Sequence, residues 1–126
     1  MGKIKGIEKE CLDLIKESAR SIHPMEFAGL LSVGEDKEVI SEVVLLPGTI
    51  SGSRHAIYHL TMAPVDHSIV GTVHSHPSPY PIPSEADIQL FQKYGRVHII
   101  IAMPYDDSSW KAYDFNGKEI YLEVIE

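Results

Sequence analysis

The sequence predicts α/β: a single domain over residues 1–126, with a mixed β-sheet flanked by helices. Three observations predict it. Ile4, Ile7, Cys11, Leu14, Ile15 and Ile22 recur at helical spacing with Lys and Glu between them, the pattern of an amphipathic helix. Short apolar runs bounded by Gly, Pro and Asp follow, as strands require. A second helical segment then falls between two such runs, giving the order helix, three strands, a fourth strand, helix, three strands.

The first helix is expected over residues 7–21, and Pro24 ends it, because the residue before a proline avoids helical angles. Residues 27–33 read as a buried strand, 34–37 as a turn, and 38–46 as a second strand that completes a hairpin. Gly48, Ser51, Gly52 and Ser53 make residues 47–54 a loop by composition. A short strand over 55–61 and an apolar strand over 68–74 come next, and Pro77, which cannot donate to a sheet ladder, stops the latter about there. A stiff segment with Pro79, Pro81 and Pro83 leads to a helix over 84–94. Residues 97–103 are strongly apolar and read as a central strand. Residues 109–114 and 119–125 form a closing hairpin around Asn116-Gly117, a strong hairpin signal.

The chain is long enough for one domain with its own core, and its 44% hydrophobic content is that of a globular protein. Eleven Lys and Arg against 18 Asp and Glu give a net charge of −7, with no basic run, which argues against phosphate-driven nucleic-acid binding. No run approaches the ~18 apolar residues of a membrane span. Met1 to Gly6 lack the apolar stretch of a signal peptide and the Ser or Thr of a myristoylation site, so a soluble cytoplasmic protein is expected. The single cysteine, Cys11, falls on the core face of the first helix and reads as a small buried hydrophobe.

The chemistry centres on His74-Ser75-His76-Pro77 and Ser84-Glu85-Ala86-Asp87. Positions i and i+2 of a strand point to one side, so His74 and His76 face a common point. Asp87 lies in the first turn of the following helix, where its carboxylate completes a three-ligand set. Two imidazoles and a carboxylate suit zinc, and three protein ligands with a fourth position left to water is the catalytic form of such a site. Structural zinc sites are closed by four ligands and favour cysteine, and Cys11 lies in a different element. Ser84 and Asp87 also spell a capping box, with Ser84 as N-cap and Asp87 reaching back to its amide. His, His, Pro, Ser and Asp at fixed offsets, at ~5% usage each, arise by chance roughly three times in ten million starts.

The combination resembles the JAMM (MPN+) metalloprotease family, whose pattern is an upstream Glu, then His-Ser/Thr-His-Pro, then Ser-x-x-Asp. Here it stands as Glu26, His74-Ser75-His76-Pro77 and Ser84-x-x-Asp87, and Glu26-Phe27-Ala28-Gly29-Leu30-Leu31 matches the family's Glu-x-x-Gly-x-Leu strand. The resemblance spans roughly residues 7–123 and implies the deaminase-like JAMM/MPN architecture in a minimal, archaeal-type member. It implies one zinc ion on His74, His76 and Asp87, Glu26 as the proton shuttle, and Ser84 as donor to the oxyanion of the tetrahedral intermediate. Zinc lowers the pKa of its water to ≈7 and polarises a carbonyl, the two services amide hydrolysis needs besides a proton shuttle.

The resemblance further implies an isopeptidase acting between the C-terminal glycine of a ubiquitin-like modifier and a lysine, or on a linear fusion. The modifier's extended tail would pair with an exposed strand such as 57–61, flanked by the loop 47–54. An alternative with the same zinc site is a peptidase processing a sulfur-carrier protein or a small peptide conjugate. Whether the chain is a monomer or a homodimer stays open. A nucleoside deaminase would need His-x-Glu and Pro-Cys-x-x-Cys, which are absent. Scaffold members of the family have lost the ligands that this chain keeps. His98, between Val97 and Ile99, reads as a satisfied core or interface histidine, and His55 and His59 as surface residues.

Overall fold

A computed structural model describes residues 3–45 and 68–126. In chain order the elements are β1 (Gly6–Glu8), α1 (Lys9–Ile22), β2 (Ala28–Val33), β3 (Val39–Leu45), β4 (Ile69–His76), α2 (Glu85–Lys93), β5 (Val97–Ala102), β6 (Trp110–Tyr113), β7 (Glu119–Ile120) and β8 (Glu123–Ile125). The described strands form one sheet in the order β7-β6-β5-β4-β2-β3-β1-β8. It is mixed: β4 runs parallel to β5, and β1 parallel to both β3 and β8, while the other pairs are antiparallel. β7 and β8 occupy opposite edges, yet only Tyr121 and Leu122 separate them in the chain. Three steps of 3.80 Å reach about 11 Å, so the sheet must curl until its edges nearly meet.

The register of β5 shows how the layers are arranged. All six of its residues are buried. Ile99 and Ile101 join the main core with Cys11, Leu12, Ile15 and Ala19 of α1, whereas Ile100, between them, packs with Phe91 of α2 and Tyr113. Successive strand residues face opposite sides, so the two helices cover opposite faces of the sheet. Complete burial of an isoleucine contributes roughly 1.5–3 kcal/mol, so the three consecutive isoleucines anchor both layers at once.

β4 and β5 approach closely near their starts. A Cβ on Gly71 would lie 1.5 Å from the carbonyl oxygen of Val97, so glycine alone fits there. β4 is paired residue by residue from Gly71↔Val97 to His76↔Ala102.

The predicted α/β architecture with two helices and a mixed sheet is the one observed, with three differences. Ile7 is buried on strand β1, and α1 begins only at Lys9. Three residues are too few for a strand period to register, and the partners of β1 lie at Val39–Ile40 and Glu123–Ile125. Leu14 is 49% exposed, because the buried arc of α1 runs through Cys11, Leu12, Ile15 and Ala19. The turn at Asn116-Gly117 is present, with Gly117 at φ +81° and the Asp114 amide bonded to the Lys118 carbonyl. The arm beyond it splits into two strands, because Leu122 turns into the core and the Glu123 amide bonds the Lys5 carbonyl at the far edge. The predicted loop 47–54 and strand 55–61, with His55, His59 and His67, lie outside the described residues.

Candidate metal centre

β4 pairs with β5 in parallel, and α2 lies in the connection between them. Such a crossover places the start of the helix near the carboxyl end of the first strand, where open α/β sheets build their sites. Here that end carries His74, Ser75 and His76, and the helix start carries Ser84 and Asp87. The register His74↔Ile100 puts His74 on the face that Ile100 presents to α2. Ser75 takes the other face, fully buried, where its Oγ accepts the Phe27 amide at 2.9 Å. The alternation expected from the sequence is therefore the one found.

The three donors converge. His74 Nε2 and His76 Nε2 are 3.1 Å apart, Asp87 Oδ1 is 3.3 Å from His74 Nε2, and Asp87 Oδ2 is 3.4 Å from His76 Nε2. Among the described residues, this is the group of His, Cys, Asp and Glu donors suited to a metal ion. Ligands at 2.0–2.2 Å from a tetrahedral zinc are spaced about 3.3 Å from one another, so the three donors already stand where such an ion would require them.

The tautomer of His76 is fixed as well. Its Nδ1 lies 3.1 Å from the Tyr80 carbonyl oxygen, which can only accept, so Nδ1 carries a proton, and in the neutral imidazole that a metal would bind Nε2 holds the lone pair. Tyr80 contributes through its backbone, which no residue-type motif records; the Pro-rich segment around it was the available signal. Burial alone would raise the Asp87 carboxyl pKa, but hydrogen bonds from His74 and His76 outweigh it and hold the group well below the usual carboxylate range. Burial opposes the charged form of His76, and the Asp87 carboxylate and Tyr80 carbonyl overcome it and raise the imidazole pKa. Asp87 thus stays an anion inside the protein, matched to a cation. The side chains of His74 and Asp87 are each only 6% exposed and that of His76 is 18% exposed, so the site opens on the His76 side.

Ser84 caps α2 through the reciprocal pair of bonds that the sequence spells. Its Oγ accepts the Asp87 amide, and its own amide donates to Asp87 Oδ2. Glu26 lies two positions before the start of β2 and is half-buried. Its negative charge acts on both His76 and Tyr105, so it lies within electrostatic reach of the two. Phe27, next in the chain, is tied to β4 by two bonds with Ser75, so Glu26 and the histidines share one rigid frame.

The other named groups lie apart from the centre. His98 is fully buried, 2.7 Å from Thr72 Oγ1 through Nδ1 and 3.1 Å from the Gly95 carbonyl through Nε2, a satisfied core histidine. Cys11 is buried in the α1 core, and burial pushes its thiol up to about 12. No described helix is long and apolar enough to cross a membrane.

Residues 8–113 match the family described as prokaryotic homologs of the JAB domain. A Haloferax volcanii protein described as a probable metalloprotease is 37% identical over 132 residues, covering 98% of this chain and 81% of that one. A crystal structure of a JAB1/MPN domain protein from Archaeoglobus fulgidus superposes with a TM-score of 0.78 at 44% identity, covering 96% of this chain and 99% of that one. A second structure, described as a metalloprotease-like zinc site in the proteasome and signalosome, gives a TM-score of 0.77 at 40% identity, covering 98% and 100%. A solution structure from Desulfitobacterium hafniense, 19% identical with a TM-score of 0.62 over 96% of this chain and 92% of that one, shares the fold. With the paired histidines, the capped aspartate and the upstream glutamate in one frame, the chain belongs to the prokaryotic JAB-domain family of JAMM-type zinc metalloproteases.

Proposed function

We propose that this chain is a zinc isopeptidase that hydrolyses the bond between the C-terminal glycine of a ubiquitin-like modifier and a lysine, or the peptide bond of a linear fusion. The observation that carries it is the pre-set donor triangle of His74, His76 and Asp87, open at His76 and accompanied by the Glu26 charge. Zinc held there supplies a Lewis acid for the scissile carbonyl and an acidified water. Glu26 takes the proton from the attacking water and returns it to the leaving amine. Ser84 accepts the Asp87 amide through its Oγ, which leaves its own O–H free to donate to the oxyanion. Tyr80 of the Pro-rich segment, 65% exposed and joined to His76 through its carbonyl, gives an extended apolar tail something to lie against. The neighbour described as a metalloprotease-like zinc site in the proteasome and signalosome supports the zinc-peptidase part of this reading.

The test is incubation of the purified protein with a modifier–lysine conjugate, a linear modifier fusion and a sulfur-carrier fusion, each with and without a chelator. Chelator-sensitive cleavage after the terminal glycine of the lysine conjugate is expected, and His76→Ala should lose both stoichiometric zinc and cleavage. Cleavage of the sulfur-carrier fusion alone would reassign the substrate. Full activity of His76→Ala would remove the metal assignment.

A further inference from the structure

Glu26 sits in the short connection between α1 and β2, which would be a loose mounting for a proton shuttle. Its C-terminal side is secured: the Phe27 amide donates to Ser75 Oγ at 2.9 Å, and the Ser75 amide donates to the Phe27 carbonyl at 3.0 Å. Its N-terminal side is held by something the motif does not include. His23 Nδ1 lies 2.6 Å from the Tyr105 hydroxyl, and the two rings meet edge to face with centroids 5.5 Å apart. The Met25 amide closes the turn onto the Ile22 carbonyl at 2.8 Å, so the position of His23 fixes the path of the three residues leading to Glu26.

Tyr105 is an unusual residue. It is 3% exposed, and among the described residues it is the non-glycine with a positive φ, at +65°. A bulky side chain rarely adopts that backbone region, and where one does, the surroundings impose it and a function often explains it. The turn that holds it grows directly out of the metal frame. Ala102, paired with His76, accepts the Tyr105 amide at 2.8 Å, and the Met103 amide donates to the Ser78 carbonyl just beyond the histidines. Burial, followed by the charge of Glu26, raises the pKa of the Tyr105 phenol, so the phenol and the carboxylate lie within electrostatic reach.

From this geometry we infer that Tyr105 is a positioning residue for Glu26: acting through His23, it ties the Glu26 connection to the end of β5, and so to His76. The inference rests on Glu26 being the proton shuttle. Glu26 is then clamped at both ends to strands of the metal frame, by Ser75 of β4 on one side and by the Tyr105 turn after β5 on the other. A shuttle displaced by about 1 Å forfeits up to 10²-fold in rate, which is what the second clamp prevents.

The experiment compares Tyr105→Phe, which removes only the hydroxyl, and His23→Leu, which removes the partner at an exposed position. Two readouts are taken. The first is nitrogen-15 relaxation of the metal-free protein. Both variants should lower the order of the Glu26 amide and leave those of His74 and His76 unchanged. The second is turnover of the zinc-loaded protein on a fluorogenic Gly-Gly–lysine isopeptide. Each variant should lose about tenfold in kcat with KM and zinc content kept. Neither should cause a further loss when added to Glu26→Gln, because both act through that carboxylate. An unaltered Glu26 amide in both variants overturns the inference, as does an equal fall in kcat with and without Glu26. If Glu26→Gln by itself turns over normally, the shuttle reading fails first, and that single variant reveals it separately.

Discussion

The amide of Ser84 donates to Asp87 Oδ2 at 2.9 Å, and the amide of Asp87 donates back to Ser84 Oγ at 3.1 Å. The N-cap of α2 therefore also orients the third metal ligand. Asp87 Oδ1 turns to His74 and Oδ2 to His76, while the helix start offers its positive pole to the carboxylate. Capping and ligation, which compete as explanations of Ser-x-x-Asp in the sequence, are served here by one geometry. The cap aims the ligand.

Replacing Glu26 with Gln separates binding from chemistry. Glu26 stands outside the triangle of donors, so Glu26→Gln should retain one zinc per chain and an unchanged melting temperature. Turnover should fall by about 10²–10⁴-fold, the usual contribution of general acid–base help. Loss of zinc, measured by elemental analysis, would instead make Glu26 a ligand.

His98 should make the fold acid-sensitive. Burial in the apolar layer under Phe91 pushes its pKa down to about 4, against about 6.5 in an unfolded chain. Above pH 6.5 the imidazole is neutral in both states and contributes no pH dependence. As pH falls from 6.5 towards 4 the unfolded chain takes up a proton that the folded chain refuses, so stability declines, by about 3 kcal/mol across the window. Urea unfolding of the metal-free protein at pH 7 and at pH 4.5 checks this, with His98→Gln as the non-titrating control. An identical pH slope in the two proteins would rule it out.

Cys11 should be chemically silent. It is 4% exposed with its thiol pushed up to about 12, so almost no thiolate exists near neutrality. Thiol-blocking reagents should leave the folded enzyme active. Cys11→Ala should cost about 1 kcal/mol of stability with turnover unchanged, well below the 2–5 kcal/mol of a buried leucine truncation. Rapid inactivation by a thiol reagent, abolished in Cys11→Ala, would contradict this.

The sequence discloses the metal centre more fully than the fold around it, for a physical reason. His74, His76 and Asp87 belong to one strand–helix connection, so strand alternation and the first helical turn suffice to bring them together. β1 could not be read, because its partners lie 33 and 117 residues away at Val39 and Glu123 (39 − 6 and 123 − 6). The break between β7 and β8 is likewise set by the far edge of the sheet, through Lys5 and Leu122, with no local turn residue to mark it. Tyr105 illustrates the same limit near the site. Its backbone strain and its bond to His23 are products of the fold, and a tyrosine after Met103-Pro104 announces neither.

Ser84→Ala is the variant in which cap and catalyst can be told apart. The hydroxyl is used twice: its oxygen accepts the Asp87 amide, and its proton remains to be donated to the oxyanion. Losing the acceptor removes half of the capping box and costs about 1 kcal/mol, read as a lower melting temperature. Losing the donor removes about 2.7–4 kcal/mol of transition-state stabilisation, or 10²–10³ in turnover. Zinc should survive the change, because the bond that aims Asp87 Oδ2 comes from the backbone amide of residue 84, which alanine keeps. The expected result is therefore full zinc content, a slightly lowered melting temperature and a fall in kcat of at least about a hundredfold, with KM little altered. The three quantities are measured on a single preparation. Near wild-type turnover beside a lowered melting temperature would confine Ser84 to the cap, whereas lost zinc would show that the Asp87 carboxylate depends on the hydroxyl bond as well as on the amide.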